Sequence, residues 1–84
     1  MLDGKIKQKI DEIIFSDIGI RPESIDPNQM IRDQVSLDSM QFIGLVAKLE
    51  IELEVELPVG IMQVKTLREF YWEIEKVLSG DIPA

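Results

Sequence analysis

An all-α fold is predicted by three observations. Three segments carry apolar residues at helical spacing, two of them open on a capping box, and no second strand-like segment exists to pair with the one alternating stretch. The expected architecture is a small four-helix bundle, three main helices plus one short helix, with a long loop between the first and second main helices. A chain of 84 residues supplies one core and little more, so residues 1–84 are expected to form a single domain.

Ile6, Ile10, Ile13 and Ile14 fall on one face of a period of about 3.6 residues, with Lys5, Lys7, Lys9 and Glu12 outside it. Asp3 is the candidate N-cap of this first helix and Gly19 its stop. From Arg21 to Leu37 no period is sustained, and Pro22, Pro27 and Asn28 interrupt the chain. Loops this long tend to be functional. Ile25, Met30, Ile31, Val35 and Leu37 are expected to pin this loop across the helices, because a loose loop would leave them in water.

Asp38, with Gln41 three residues on, has the form of a capping box, which starts the second main helix and places Ser39 at its first position. Phe42, Leu45, Val46, Leu49 and Leu53 make an inward face, and Met40, Ile43 and Ala47 form a second apolar stripe rotated from it. That stripe is either a docking surface or a second packed side. Alternation through Ile51-Glu52-Leu53-Glu54-Val55-Glu56-Leu57 imitates a strand, but a lone strand is unstable, so the stretch reads as a helix end running into an extended turn at Pro58. Its glutamates read as a solvated face, with a partner patch as the alternative.

The segment Val59 to Val64 has room for one turn of helix. Thr66 with Glu69 opens the last helix, which turns Leu67, Phe70, Tyr71, Ile74, Val77 and Leu78 inward and stops at Gly80, with Pro83 beyond. Trp72 lies on the opposite side, expected to cover a neighbouring loop, with contact to a partner as the alternative.

Composition limits what the exposed serine at the start of the second helix can do. The chain has no histidine and no cysteine, which removes the usual general base, thiol nucleophiles and the commonest zinc ligands, and no metal site is assigned. Ser39 therefore belongs to no Ser-His-Asp triad within this chain, and no catalytic residue is assigned. Ser39 reads instead as an acceptor for covalent modification. A net charge of -7 argues against nucleic acid and favours partners with basic surfaces. The longest apolar stretch, Phe42 to Ala47, is too short for a bilayer, and the N-terminus lacks the apolar run of a signal peptide. A soluble, cytoplasmic monomer without membrane insertion is the expectation.

The run Val35-Ser36-Leu37-Asp38-Ser39-Met40 resembles the Asp-Ser-Leu attachment motif of acyl carrier proteins. The resemblance covers nearly the whole chain: an isoleucine-rich first helix, a long loop, the serine opening helix two, Leu49-Glu50 within it, the Leu57-Pro58 step and a Thr-initiated last helix follow the family order. It implies a carrier-protein domain, itself not an enzyme, in which Ser39 bears a 4'-phosphopantetheine arm added by a separate phosphopantetheinyl transferase. The arm then holds an acyl group as a thioester for the acyl-activating, acyltransferase or synthase enzymes of fatty acid, polyketide or related biosynthesis. It further implies that Asp38 helps present the serine to the transferase, and that Met40, Ile43 and Ala47 occupy the partner-binding strip.

Two positions depart from the family pattern. Gly44 stands where typical fatty-acid carriers have a glutamate, and Lys48 adds a positive charge one turn later, which suggests a dedicated partner set. Leu37-Asp38-Ser39-Met40 also resembles D-alanyl carrier proteins, so an aminoacyl cargo, D-alanyl or peptidyl, stays open beside an acyl one. A helical interaction domain with unmodified or phosphorylated Ser39 is the remaining alternative. Starting at Met1 without a flanking linker, the chain is expected to be free-standing.

Overall fold

The computed structural model of the protein describes residues 4–80. Among them are four α-helices and no strand: α1 Gly4–Ile18, α2 Ile31–Gln34, α3 Ser39–Leu53 and α4 Leu67–Ser79. Two 3-10 turns, Pro22–Ser24 and Val59–Gln63, complete the helical content. The fold is all-α.

In α1 the isoleucines act as their spacing predicts, with Ile10, Ile13 and Ile14 buried against α3. Gly19 ends the helix in the left-handed region, and its N–H donates to the Phe15 carbonyl at 2.9 Å. The expected N-cap Asp3 and the terminal Pro83 lie outside the described residues. The first helix also serves its neighbours. Lys9 donates from Nζ to the Glu52 carbonyl at 3.2 Å, which puts a cation at the negative C-terminal end of α3, whose own last turn has none. Asp11 accepts from the Tyr71 hydroxyl and so ties α1 to α4, and burial, then that hydrogen bond, pushes the phenol of Tyr71 well above its ordinary range.

The connection between α1 and α3 is more ordered than its broken pattern suggests. Pro22 opens the first 3-10 turn, and Ile25 is buried directly after it, held by a bond from its N–H to the Pro22 carbonyl. Gln34 then links both halves of the connection: its Oε1 accepts from the Asp26 N–H at 2.7 Å, and its Nε2 donates to the Asp26 carbonyl at 3.0 Å and the Gln29 carbonyl at 3.3 Å. These bonds supply partners for a backbone that a short helix could not satisfy alone. The turn of helix expected after Pro58 is present, and a short helix that the sequence reading did not expect lies in the connection. Residues 59–63 form a 3-10 turn, and the fourth α-helix is α2, inside the connection.

Helix α3 ends as Glu54 turns into the left-handed region at φ 56, so the alternating stretch beyond it leaves the helix without forming a strand. The Val55 N–H returns to the Glu50 carbonyl, and the Glu50 carboxylate accepts from the Leu57 N–H at 2.9 Å. Glu50, just before the alternating stretch, is therefore a structural ligand of the turn that ends it. Helix α4 closes at Gly80 with φ 76, as its glycine predicts. Phe70, Ile10, Leu49, Ile61 and Ile74 are the largest fully buried side chains, each stabilising the fold by about 1.5–3 kcal/mol through burial. Trp72 is 56% exposed, with the Lys76 ammonium of its own helix 4.1 Å from its ring centroid. No described helix is long and apolar enough to cross a membrane.

Candidate functional site

The start of α3 is built by the box that the sequence announces. Asp38, in extended conformation, accepts the Gln41 N–H on Oδ1 at 2.8 Å, and its own N–H donates to Gln41 Oε1 at 3.1 Å. These two bonds satisfy groups that a helix end otherwise leaves to water. Asp38 Oδ2 has no hydrogen-bond donor among the described residues. One carboxylate oxygen is thus spent on the helix and the other is available.

Ser39 follows as the first residue of α3 and is exposed. Its hydroxyl forms no hydrogen bond among the described residues. Its environment is an open cleft of about 300 Å³, walled by Ile31 and Arg32 of α2 and by Met62, Val64 and Lys65 of the segment before α4. Leu37 and Phe42 form the floor, and the same two side chains line a small apolar void of about 30 Å³ behind it. Phe42 is half-buried, its ring centroid 5.8 Å from that of buried Phe70, so the floor rests directly on the core.

The two walls are joined by backbone. The Ile31 N–H donates to the Lys65 carbonyl at 2.8 Å, the Arg68 N–H to the Pro27 carbonyl at 3.2 Å, and Met30 and Thr66 form an isolated antiparallel bridge. Lys65 is itself seated by the cap of α4, where Glu69 Oε1 accepts from the N–H groups of Lys65 and Thr66, each at 3.0 Å. Those two backbone donors, Lys65 first, hold the Glu69 carboxyl below its ordinary value of 4.5.

Away from the cleft, Met40 is 80% exposed, Ile43 52% exposed, and Ala47 is exposed as well. The second stripe of α3 is therefore not packed core within this chain. Gly44 sits in its midst, and a Cβ placed there would meet nothing within 4 Å. Lys48 pairs with Glu52 at 3.7 Å across one helical turn, an exposed contact of little energetic weight.

A family profile described as phosphopantetheine attachment site matches residues 8–71. The acyl carrier proteins of Chlorobium phaeobacteroides and Chlorobium phaeovibrioides are each 33% identical to the chain over 58 residues, which is 69% of this chain and 74% of theirs. The chain belongs to the acyl carrier protein family. A third relative, the acyl carrier protein of Chlorobium luteolum, is 31% identical over the same length. No solved structure matches significantly. As a member of this family the chain is a phosphopantetheine carrier, and its cofactor is the phosphopantetheine group.

The sequence reading named Asp38, Ser39 and Met40, which the fold keeps together at the start of α3, and Ile43 and Ala47, which continue along the same helix. It missed the two cations of the cleft. Arg32 and Lys65 lie 33 positions apart, in stretches without period, and neither carries a local signal; only the hydrogen bonds between the connection and the start of α4 bring them to one cleft. Gln34 was missed for the same reason, its partners being backbone groups of an irregular segment.

Proposed function

We propose that Ser39 is the attachment point of the 4'-phosphopantetheine arm and that the protein presents a thioester-bound acyl intermediate to partner enzymes. One observation carries the reading: the serine is exposed at the first position of a capped helix and opens onto a cleft, inside the range matched by the attachment-site profile. The site fits the group. A phosphodiester on Ser39 would lie beside first-turn N–H groups that have no partner within the helix, at the positive end of the dipole. That gain, about 0.3–1 kcal/mol at an exposed site, orients the arm without stabilising the fold much.

Within this reading the Ser39 hydroxyl receives the arm from coenzyme A through a separate phosphopantetheinyl transferase. Asp38 divides its carboxylate, Oδ1 holding the cap and Oδ2 facing the transferase and its metal. The bound group supplies the thiol that the cysteine-free chain lacks. Met40, Ile43 and Ala47 form the strip that partner enzymes cover, supported by their exposure. Gly44 and Lys48 withdraw negative charge from that strip and direct it to a dedicated partner set. The architecture belongs to the same reading: one domain over residues 1–84, a small bundle of three main helices and a short one, acting as a cytoplasmic monomer. A radius of gyration of 12.0 Å, close to the value of about 12 Å for a compact chain of this length, supports the single domain.

Incubation with coenzyme A and a broad-specificity transferase, followed by intact-mass measurement, tests the attachment. The arm's mass is expected on the wild type and not on Ser39→Ala; a gain that survives the substitution sinks the reading. An aminoacyl cargo is the second reading, favoured by the Leu37-Asp38-Ser39-Met40 run, and loading of the holo protein with acyl against aminoacyl adenylates separates the two.

A further inference from the structure

The geometry points to Arg32 and Lys65 as the residues that hold the phosphodiester of the arm and lay its root along the cleft, a proposal that rests on the attachment at Ser39. The chain carries only nine basic residues against sixteen acidic ones, yet two of the nine line the cleft that contains the candidate serine. The single acidic residue lining it, Asp38, already spends one oxygen on the helix cap. Neither Arg32 nor Lys65 forms a side-chain ion pair among the described residues, whereas Lys7, Arg21, Lys48 and Lys76 each do. Lys65 reaches Glu69 by a hydrogen bond from its backbone N–H, and although its charge also lowers that carboxyl, its ammonium forms no salt bridge there.

Two cations without ion-pair partners in one cleft repel each other and any basic surface until a negative group lies between them. A phosphodiester on Ser39 supplies that group. Arg32 offers a planar fork suited to phosphate oxygens and Lys65 a compact charge, so the two can share one phosphate. The bonds from Ile31 to Lys65 and between Met30 and Thr66 hold the backbone of the two segments together before the arm arrives, so only the side chains of Arg32 and Lys65 remain to be ordered on attachment. Between the cations the lining is apolar, with Ile31, Leu37 and Val64 available to the methyl groups next to the phosphate in pantetheine.

The test uses the intact protein, loaded by the transferase and verified by mass. Comparing amide spectra of the apo and holo wild type, shifts are expected at Ile31, Arg32 and Lys65 besides those at Asp38 to Gln41. The phosphorus resonance of the holo protein is expected to narrow in Arg32→Gln/Lys65→Gln and, for the wild type, as salt is raised. Lys9→Gln, the loss of one positive charge on α1, leaves the line width unchanged. Shifts confined to Asp38 to Gln41, a phosphorus line unaltered by the double substitution, or equal narrowing in Lys9→Gln overturns the proposal. Failure of the attachment itself reads differently: no mass gain, or a gain that survives Ser39→Ala, removes the attachment and this proposal with it.

Discussion

Helices α3 and α4 begin with the same device and put it to different uses. Each opens on a reciprocal capping box, Asp38 with Gln41 and Thr66 with Glu69, and each places a phenylalanine four residues after its cap, Phe42 and Phe70, whose rings meet. From there the two ends diverge. The residue after Thr66 is Leu67, buried, and the cap is held to the connection by a bridge and two backbone hydrogen bonds. The residue after Asp38 is Ser39, exposed at the edge of a cleft. A capping motif therefore specifies where a helix starts but not whether that start is covered; the chain covers one end for stability and leaves the other accessible for modification.

The sharpest way to break the comparison is at the residue after each cap. Ser39→Ala is expected to abolish arm loading completely while leaving the melting temperature nearly unchanged, since an exposed substitution usually falls within about 0.5 kcal/mol. A large loss of stability in this variant would mean that the start of α3 is structural like that of α4. Next in size are the paired rings. Phe70→Ala should cost about 3–5 kcal/mol in denaturant unfolding, as expected for a fully buried aromatic. Phe42→Ala should cost roughly half of that, because its ring is half-buried on the cleft floor, where its loss also joins the cleft to the void behind. Equal costs would erase the distinction between covered and open ends.

The caps themselves come third. Asp38→Ala and Thr66→Ala are each expected to lose about 1 kcal/mol, the usual value of an N-cap side chain. Only Asp38→Ala should also slow transfer of the arm, read as the rate of mass gain. The smallest effect lies in the acid limb. Glu69 has its carboxyl held below its ordinary value of 4.5, so its contribution is present above that pH and lost as the pH falls through the lower, folded value. Glu69→Gln should flatten the fall in melting temperature below about pH 4.5, and an unchanged acid limb would show that the α4 cap does not depend on that charge.

Much of this was legible in the chain. Helix faces were readable because burial follows the period of about 3.6 residues: Ile10, Ile13 and Ile14 in α1, Leu45, Val46 and Leu49 in α3, and Leu67, Phe70 and Ile74 in α4 all face the core. Both capping boxes were readable because the interaction spans only three residues. The alternating stretch was resolvable as well, since a strand without a partner cannot satisfy its backbone. The connection was not legible: the bonds made by Gln34 and Ile31 join groups that no period relates, and the short helix α2 depends on them.

The sequence by itself determined that the chain is helical, that Asp38 caps the helix begun by Ser39, and that with no histidine this serine belongs to no Ser-His-Asp triad within the chain. These conclusions rest on composition and on contacts within one turn. Only the tertiary structure decided that Met40 and Ile43 stay exposed, and that Arg32 and Lys65 share a cleft with Ser39. Those outcomes depend on which surfaces remain uncovered once the connection is tied by its hydrogen bonds to the start of α4, and no local pattern encodes that closure.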